Sequence, residues 1–420
     1  MIQAVRGTRD LLPDETPLWR EVEAAWRRTT RLFGYREIRV PTFEERALFE
    51  RSVGEATDIV SKEMYVFEDR GGRSVALRPE GTAGVVRACI ERGLLGHRKE
   101  LLRLWYHGQM FRYERPGKGR YREFTQVGAE AIGSEDPGAD AEMVDLALDF
   151  LRAAGFEKLR LLLSSIGCSA CRPAWRQAVV AHLEPRREEL CGDCRDRLLR
   201  NPLRVLDCKE EGCGAIVASS PSPADFLCPA CRDHLAALRR RLDSLAVPYE
   251  MAPRLVRGLD YYTRTVFEVV DEGLGGQNAV FGGGRYDNLV ELLGGPPTPA
   301  VGFAAGVDRI VLLLRERRGA PPERPDIYVV CLGAEAQAEA LGLARELRGH
   351  GLSAEVDLLG GGPKAQFKRA DRAGARRVLV LGEEELRRSV VALKDMESGQ
   401  QREIARAQLL AALSAAGGTK

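Results

Sequence analysis

The sequence predicts two folded parts. The first is an α+β domain built on an antiparallel sheet, with a Cys-rich insertion. The second is an α/β C-terminal domain. Three observations carry this. Residues 101–114 and 123–133 alternate as two long strands around a connector that proline and glycine keep irregular. Eight of the ten cysteines fall between Cys168 and Cys231. Beyond residue 325 strands alternate with helices, which implies a mainly parallel sheet. A chain of 420 residues has room for two or three cores. The expected boundaries are 1–320, with the insertion at about 166–247, and 325–420.

Residues 14–34 read as an amphipathic helix, with Leu18, Val22, Ala25, Trp26 and Leu32 at helical spacing. Residues 35–40 form a strand that Pro41 stops, and 74–78 form another. Pro79 then opens a helix running to about Gly93. After the insertion come a strand at 264–270, a turn at 282–287 before a short helix, a strand at 301–305 and a helix at 307–316. Residues 317–325 are a Pro-rich linker. The last part reads strand 326–332, helix 334–350, strand 352–357, helix 363–373, strand 377–381, a last central strand 390–394, and a helix from Ile404.

The formal charge of +2 excludes a uniformly basic body, so a nucleic-acid partner would have to meet a local patch. No apolar run approaches the roughly 20 residues that span a bilayer. The first residues have no apolar signal region, and the expected location is the cytoplasm.

Read with period two, Met110, Arg112 and Glu114 share a strand face, as do Phe124, Gln126, Gly128 and Glu130. The opposite face of the second strand is mostly apolar, so the core side is clear. A merely solvated face does not need Phe124 and Gly128, and Gly128 leaves room for a ligand between Gln126 and Glu130. His107 has the other parity and reads as structural. Residues 257–265 set Arg257 near Tyr261 and Tyr262 with a glycine between. That suits a small ligand with an anionic end. The alternative is a strand start with core tyrosines.

The cysteines pair as Cys168 and Cys171, Cys191 and Cys194, Cys208 and Cys213, Cys228 and Cys231. Eight thiolates suffice for two structural Zn2+ sites, with His234 as a substitute ligand.

Phe111-Arg-Tyr-Glu114, the basic loop 115–122 and Phe124 resemble motif 2 of class II aminoacyl-tRNA synthetases; residues 301–309 resemble motif 3, and 35–41 with the preceding helix motif 1. Residues 77–82, 257–265 and 282–287 resemble patterns of the histidyl-tRNA synthetases in particular. The resemblance implies a class II catalytic domain followed by an anticodon-binding domain. It implies a homodimer that binds ATP with Mg2+, L-histidine and tRNA-His. It assigns Arg112 to the α-phosphate, Arg309 to the γ-phosphate end, Phe124 to adenine, and Arg257 to the bridge between histidine carboxylate and α-phosphate. Glu114, Arg120 and Arg122 complete the ATP set. Glu80, Gly81, Thr82 and Gln126 would meet the ammonium end, and Glu130, Tyr262, Tyr286 and Tyr261 the ring side. Lys118, Arg120 and Arg122 would meet phosphates of ATP or tRNA. Lys364, Lys368 and Arg369 would meet the anticodon stem, or form a solvated helix face. The alternative function is the histidine-binding regulatory subunit of ATP phosphoribosyltransferase. That paralogue generally lacks the C-terminal domain and erodes the arginine set, and this chain keeps both.

Overall fold

The computed structural model describes residues 1–54, 57–95, 100–271 and 279–415. The chain divides into two units, Met1–Gly319 and Ala320–Lys420. The first is built on an eight-stranded sheet. Its order is Arg36–Glu37, Leu102–Phe111, Glu123–Ile132, Ala300–Gly306, Ala279–Arg285, Thr263–Val270, Arg160–Ser165, Glu250–Met251. Only the short outer strands pair in parallel; the six between them are antiparallel.

Register explains which face is which. Trp105 stands opposite Ala129, and Ala129 opposite Phe303. These side chains face a layer made by helices Thr16–Leu32, Pro137–Ala153 and Val307–Arg318. Trp26 sits edge-on to Trp105, Phe150 and Phe303, with ring centroids 6.2, 4.9 and 5.8 Å away. Leu18, Val22, Ala25 and Trp26 are buried as their spacing predicts, but Leu32 in the last turn is exposed. His107 points to this layer too and lies 3.4 Å from Glu23.

The strand expected at 35–40 shrinks to Arg36–Glu37. The strand Ser74–Leu77 belongs to a separate three-stranded sheet with Phe43–Glu45 and Val66–Glu68. Pro79 does not open the next helix. That helix is Thr82–Glu91, and Pro79 lies ahead of it with its carbonyl accepting from Arg112. The insertion folds into helices Arg172–Leu183, Gly192–Arg200, Glu211–Val217 and Pro229–Ser244. Its Trp175, Leu198, Val205 and Ile216 join the same core cluster as Tyr261 and Tyr262. The insertion and the segment 257–265 therefore share one interior.

In the second unit the order is Ala354–Val356, Ile327–Leu332, Arg377–Gly382, Val390–Asp395, Gln401–Ala405. The first three are parallel and the last two antiparallel. The helix expected from Ile404 is preceded by a strand. Asp395 Oδ1 accepts the N–H groups of Glu397 and Ser398, which turns the chain back into a hairpin. The last helix starts at Leu409.

Candidate active site

The sheet face turned away from the three helices is hollowed by glycine. A methyl group at Gly128 would strike the Tyr106 ring, one at Gly282 the Arg257 guanidinium, and one at Gly302 the Glu130 carboxylate. Glycine inside a strand often marks such a close approach. The space over Gly128, expected to be open for a ligand, is filled by Tyr106. Residues 282–284, expected in a turn, lie inside the strand Ala279–Arg285. A side chain at Gly283 would meet Phe303 and Phe267, and one at Gly284 would meet Tyr262.

A cleft of about 930 Å³ opens on this face. Arg112, Arg120, Arg257 and Arg309 all line it, beside Glu114 and Phe124. Arg112 Nε donates to the Pro79 carbonyl at 2.9 Å, and its guanidinium lies 5.3 Å from the Phe124 ring centroid. Arg309 Nη1 donates to the Ala279 carbonyl at 2.9 Å, and Nε to the Gly119 carbonyl at 3.4 Å. Arg257 pairs with Glu268, and Arg120 lies 3.5 Å from Glu114. Burial first, then the neighbouring charge of Arg120, with Arg112 and Arg257 adding to it against Glu114, lowers the Arg309 pKa from its usual value. A cationic wall under that strain favours a polyanion.

A small, polar and acidic group of side chains lies at and beneath the cleft surface. Glu80 accepts the Thr82 N–H at 2.7 Å and the Ala83 N–H at 2.8 Å, so its carboxylate caps the helix Thr82–Glu91. Thr82 Oγ1 donates to Glu130 at 2.7 Å, and the Tyr286 hydroxyl donates to the other Glu130 oxygen. Burial pushes Glu130 up to about 8. Burial raises Glu80 as well. The Tyr261 and Tyr262 rings stand 4.8 Å apart, and both line the cleft. Gln126 Oε1 is buried without a partner among the described residues. An acceptor of this kind that lines a cleft can receive a ligand's donor. The arginines of the cleft thus suit phosphates, and its acidic and amide groups a small group bearing N–H donors.

The histidyl-tRNA synthetase family model matches residues 7–171 and 218–310, and an anticodon binding domain matches 326–416. A histidine–tRNA ligase of Synechococcus elongatus is 51% identical over 409 residues, covering 97% of this chain and 94% of its own. The chain belongs to the histidyl-tRNA synthetase family. A second relative, the histidine–tRNA ligase of Desulforamulus reducens, is 47% identical and covers 96% of this chain and 97% of its own. The apo S. aureus histidyl-tRNA synthetase superposes with a TM-score of 0.82 at 37% identity, covering 98% of this chain and all of that one. These findings favour the ligase over the regulatory-subunit alternative.

Not every residue that the family resemblance picks out lines the cleft. Glu80, Thr82, Arg112, Glu114, Arg120, Phe124, Gln126, Arg257, Tyr261, Tyr262 and Arg309 do. Gly81, Glu130 and Tyr286 lie one layer beneath, with Glu130 reached through Thr82. Arg122 turns away. Its guanidinium stacks 3.6 Å from the Tyr113 ring centroid and donates to the carbonyls of Arg6 and Glu114. Lys118 pairs with Glu316 at 2.8 Å. Glu268 and Glu63 are among the cleft residues that a reading of the sequence misses. Glu268 is the lone charge in the apolar run 266–270, and that parity signal could have found it. Glu63 ends a single π-helical turn, Ile59–Glu63, and has no such signal.

The cysteines gather as two quartets, Cys168, Cys171, Cys228, Cys231 and Cys191, Cys194, Cys208, Cys213, each with its sulfurs within 4.8 Å of one another. His234 joins neither. Its Nε2 lies 3.3 Å from Asp140, which also binds Arg285. Burial alone would raise Asp140; the bond to His234 and the charge of Arg285 outweigh it and hold the carboxyl at about 2.

Proposed function

We propose that this chain joins L-histidine to tRNA-His in two steps, first forming histidyl-adenylate and pyrophosphate from histidine and ATP. The observation that carries the reading is one cleft that Arg112, Arg120, Arg257 and Arg309 line together with Glu80, whose carboxylate caps a helix start. Adenylate formation brings a carboxylate to the α-phosphorus of ATP, so negative charge builds on phosphoryl oxygens. Fixed cations serve this better than an acid–base pair. Arg112 holds the α-phosphate, Arg309 the γ end, and Phe124 stacks on adenine, with Glu114 and Arg120 beside them. Arg257 lies between the histidine carboxylate and the α-phosphate. ATP enters as its Mg2+ complex. Gln126, Glu80 and Thr82 receive the ammonium group. Tyr262 and Tyr261 wall the imidazole, and Glu130, braced by Tyr286, answers it from below. A site that pairs both ring nitrogens rejects apolar isosteres, because those leave buried polar groups unpaired.

The first unit also meets the tRNA acceptor end through the 115–122 loop, and the second meets the anticodon. The active form is a cytoplasmic homodimer, and the cysteine quartets are structural Zn2+ sites. No helix among the described residues is long and apolar enough to cross a membrane. The deciding assay is histidine-dependent exchange of pyrophosphate into ATP. Robust exchange is expected with histidine alone among the amino acids. No exchange at saturating histidine would refute the ligase reading.

A further inference from the structure

The two quartets are nested in sequence: the pairs 191/194 and 208/213 lie inside the loop that 168/171 and 228/231 close. All eight sulfurs are free. In the outer quartet Cys168 and Cys171 sulfurs are 3.8 Å apart, Cys168 and Cys228 3.9 Å, Cys171 and Cys231 3.8 Å. In the inner one Cys191 and Cys208 are 3.9 Å apart. A tetrahedron with Zn–S bonds of about 2.3 Å has an edge of about 3.8 Å. A disulfide would need about 2.05 Å. Each quartet also holds a backbone donor on a sulfur: Cys168 N–H to Cys171 and Cys191 N–H to Cys213, both at 3.2 Å. Such bonds stabilise thiolates and orient them for a metal.

The segments that these quartets close both hold the loop 257–262. Arg172, next to Cys171, donates to the Tyr262 carbonyl at 2.6 Å. Asn201, at the end of the helix that starts beside Cys191, donates to Asp260 at 2.7 Å. The Arg204 guanidinium lies against Gly258, 3.7 Å from where a side-chain carbon would be. Arg197 reaches Asp58 on the cleft wall at 2.8 Å, and Cys191 and Cys208 themselves line the cleft.

We propose that each quartet binds one Zn2+ and that the two ions act as clasps on the histidine loop, the outer through Arg172 and the inner through Asn201 and Arg204. The proposal rests on the structural Zn2+ reading and gives it a role in amino-acid affinity. A metal that closes a long loop limits the freedom of everything in it. Here that includes the contacts that place Arg257, Tyr261 and Tyr262. A misplacement near 1 Å can cost about 100-fold.

Elemental analysis of chelator-free full-length protein should find two Zn per chain. Less than one, or iron in its place, overturns the assignment. Cys194→Ser and Cys171→Ser should each retain one Zn and raise the KM for histidine roughly 10- to 100-fold, with a smaller change in the KM for ATP. If either variant fails to fold, wild-type protein is stripped with a thiol reagent while a chromogenic chelator counts the metal. Histidine affinity is followed by calorimetry, and folding by circular dichroism. Affinity lost on release and restored by Zn2+ after the thiols are regenerated supports the clasp. Affinity unchanged after both ions leave overturns it. Calorimetry reads histidine binding without catalysis, so a failed clasp and a failed ligase reading remain distinct.

Discussion

Arg112 and Arg309 in the cleft and Arg369 in the second unit are held in opposite ways. In the cleft, Arg112 and Arg309 donate to backbone carbonyls of Pro79, Ala279 and Gly119. In the second unit, Arg369 donates to both oxygens of Asp357 at 2.7 and 2.9 Å. A carbonyl fixes a guanidinium without cancelling its charge. A carboxylate fixes it and cancels the charge. The first arrangement leaves a cation for a ligand, and the second makes a staple. Asp357 also accepts the N–H groups of Leu359 and Gly360, so the staple holds the glycine turn before the helix Pro363–Arg372. Arg257 stands between the two cases, paired with Glu268 yet open to the cleft.

The largest expected effect follows from that difference. Arg112→Ala should lower kcat/KM for pyrophosphate exchange by at least roughly 100-fold, about 3 kcal/mol in the barrier. Its thermal midpoint should stay close to wild type, because Arg112 makes no ion pair among the described residues and acts on Glu63 and Glu80 only through its charge. Arg257→Ala should lose activity similarly. If Arg112→Ala keeps wild-type exchange, carbonyl-held arginines are not the cation source; if Arg257→Ala keeps it, the bridging role of Arg257 fails.

Next in size is Gly128→Ala, which drives a methyl group into the Tyr106 ring. Overpacking of this kind costs about 1–3 kcal/mol, to be read from denaturant unfolding. It should also weaken histidine activation, since Tyr106 is packed against Gly81 at the start of the acidic pocket. A variant as stable as wild type would show that the floor yields.

Much of this site is legible in the sequence. Period two sorts Phe124 and Gln126 onto one face, because strand geometry leaves no other choice. The strand expected at 101–114 ends at Phe111, so Arg112 and Glu114 lie beyond it, and Arg112 is placed by its bond to the Pro79 carbonyl. The run 282–284 reads as a turn because consecutive glycines usually mark one, yet it is strand. The reason for those glycines lies in Arg257, Tyr262 and Phe303, which only the folded sheet brings near. Arg122 and Arg369 read as phosphate ligands by residue type. Whether an arginine is free depends on its tertiary partners, and a local motif does not reveal them.

Glu130 tests the buried acidic layer by pH. Its ordinary pKa of 4.5 rises to about 8 through burial. Between those values the folded state keeps a proton that the unfolded state releases. Stability should therefore fall as pH rises through this window, by up to about 1.4 kcal/mol per unit. Glu130→Gln should remove that slope in thermal melts from pH 5 to 8. An unchanged slope would place the titration elsewhere.

The smallest effect returns to the second unit. Lys364 and Lys368 are exposed on the helix that the Arg369 staple positions. If they meet tRNA phosphates, the double variant Lys364→Ala with Lys368→Ala should leave pyrophosphate exchange intact. It should raise the KM for tRNA a few-fold. It should also lower the slope of log affinity against log salt by about one for each phosphate that no longer has a lysine beside it. Arg369→Ala should behave differently. It removes a staple, so it should lower the unfolding midpoint of the second unit and change the salt slope little. A salt slope reduced by Arg369→Ala as much as by the lysine variants would mean that the carboxylate-held arginine also reaches a phosphate, and the distinction between the two holding modes would fail where it is clearest.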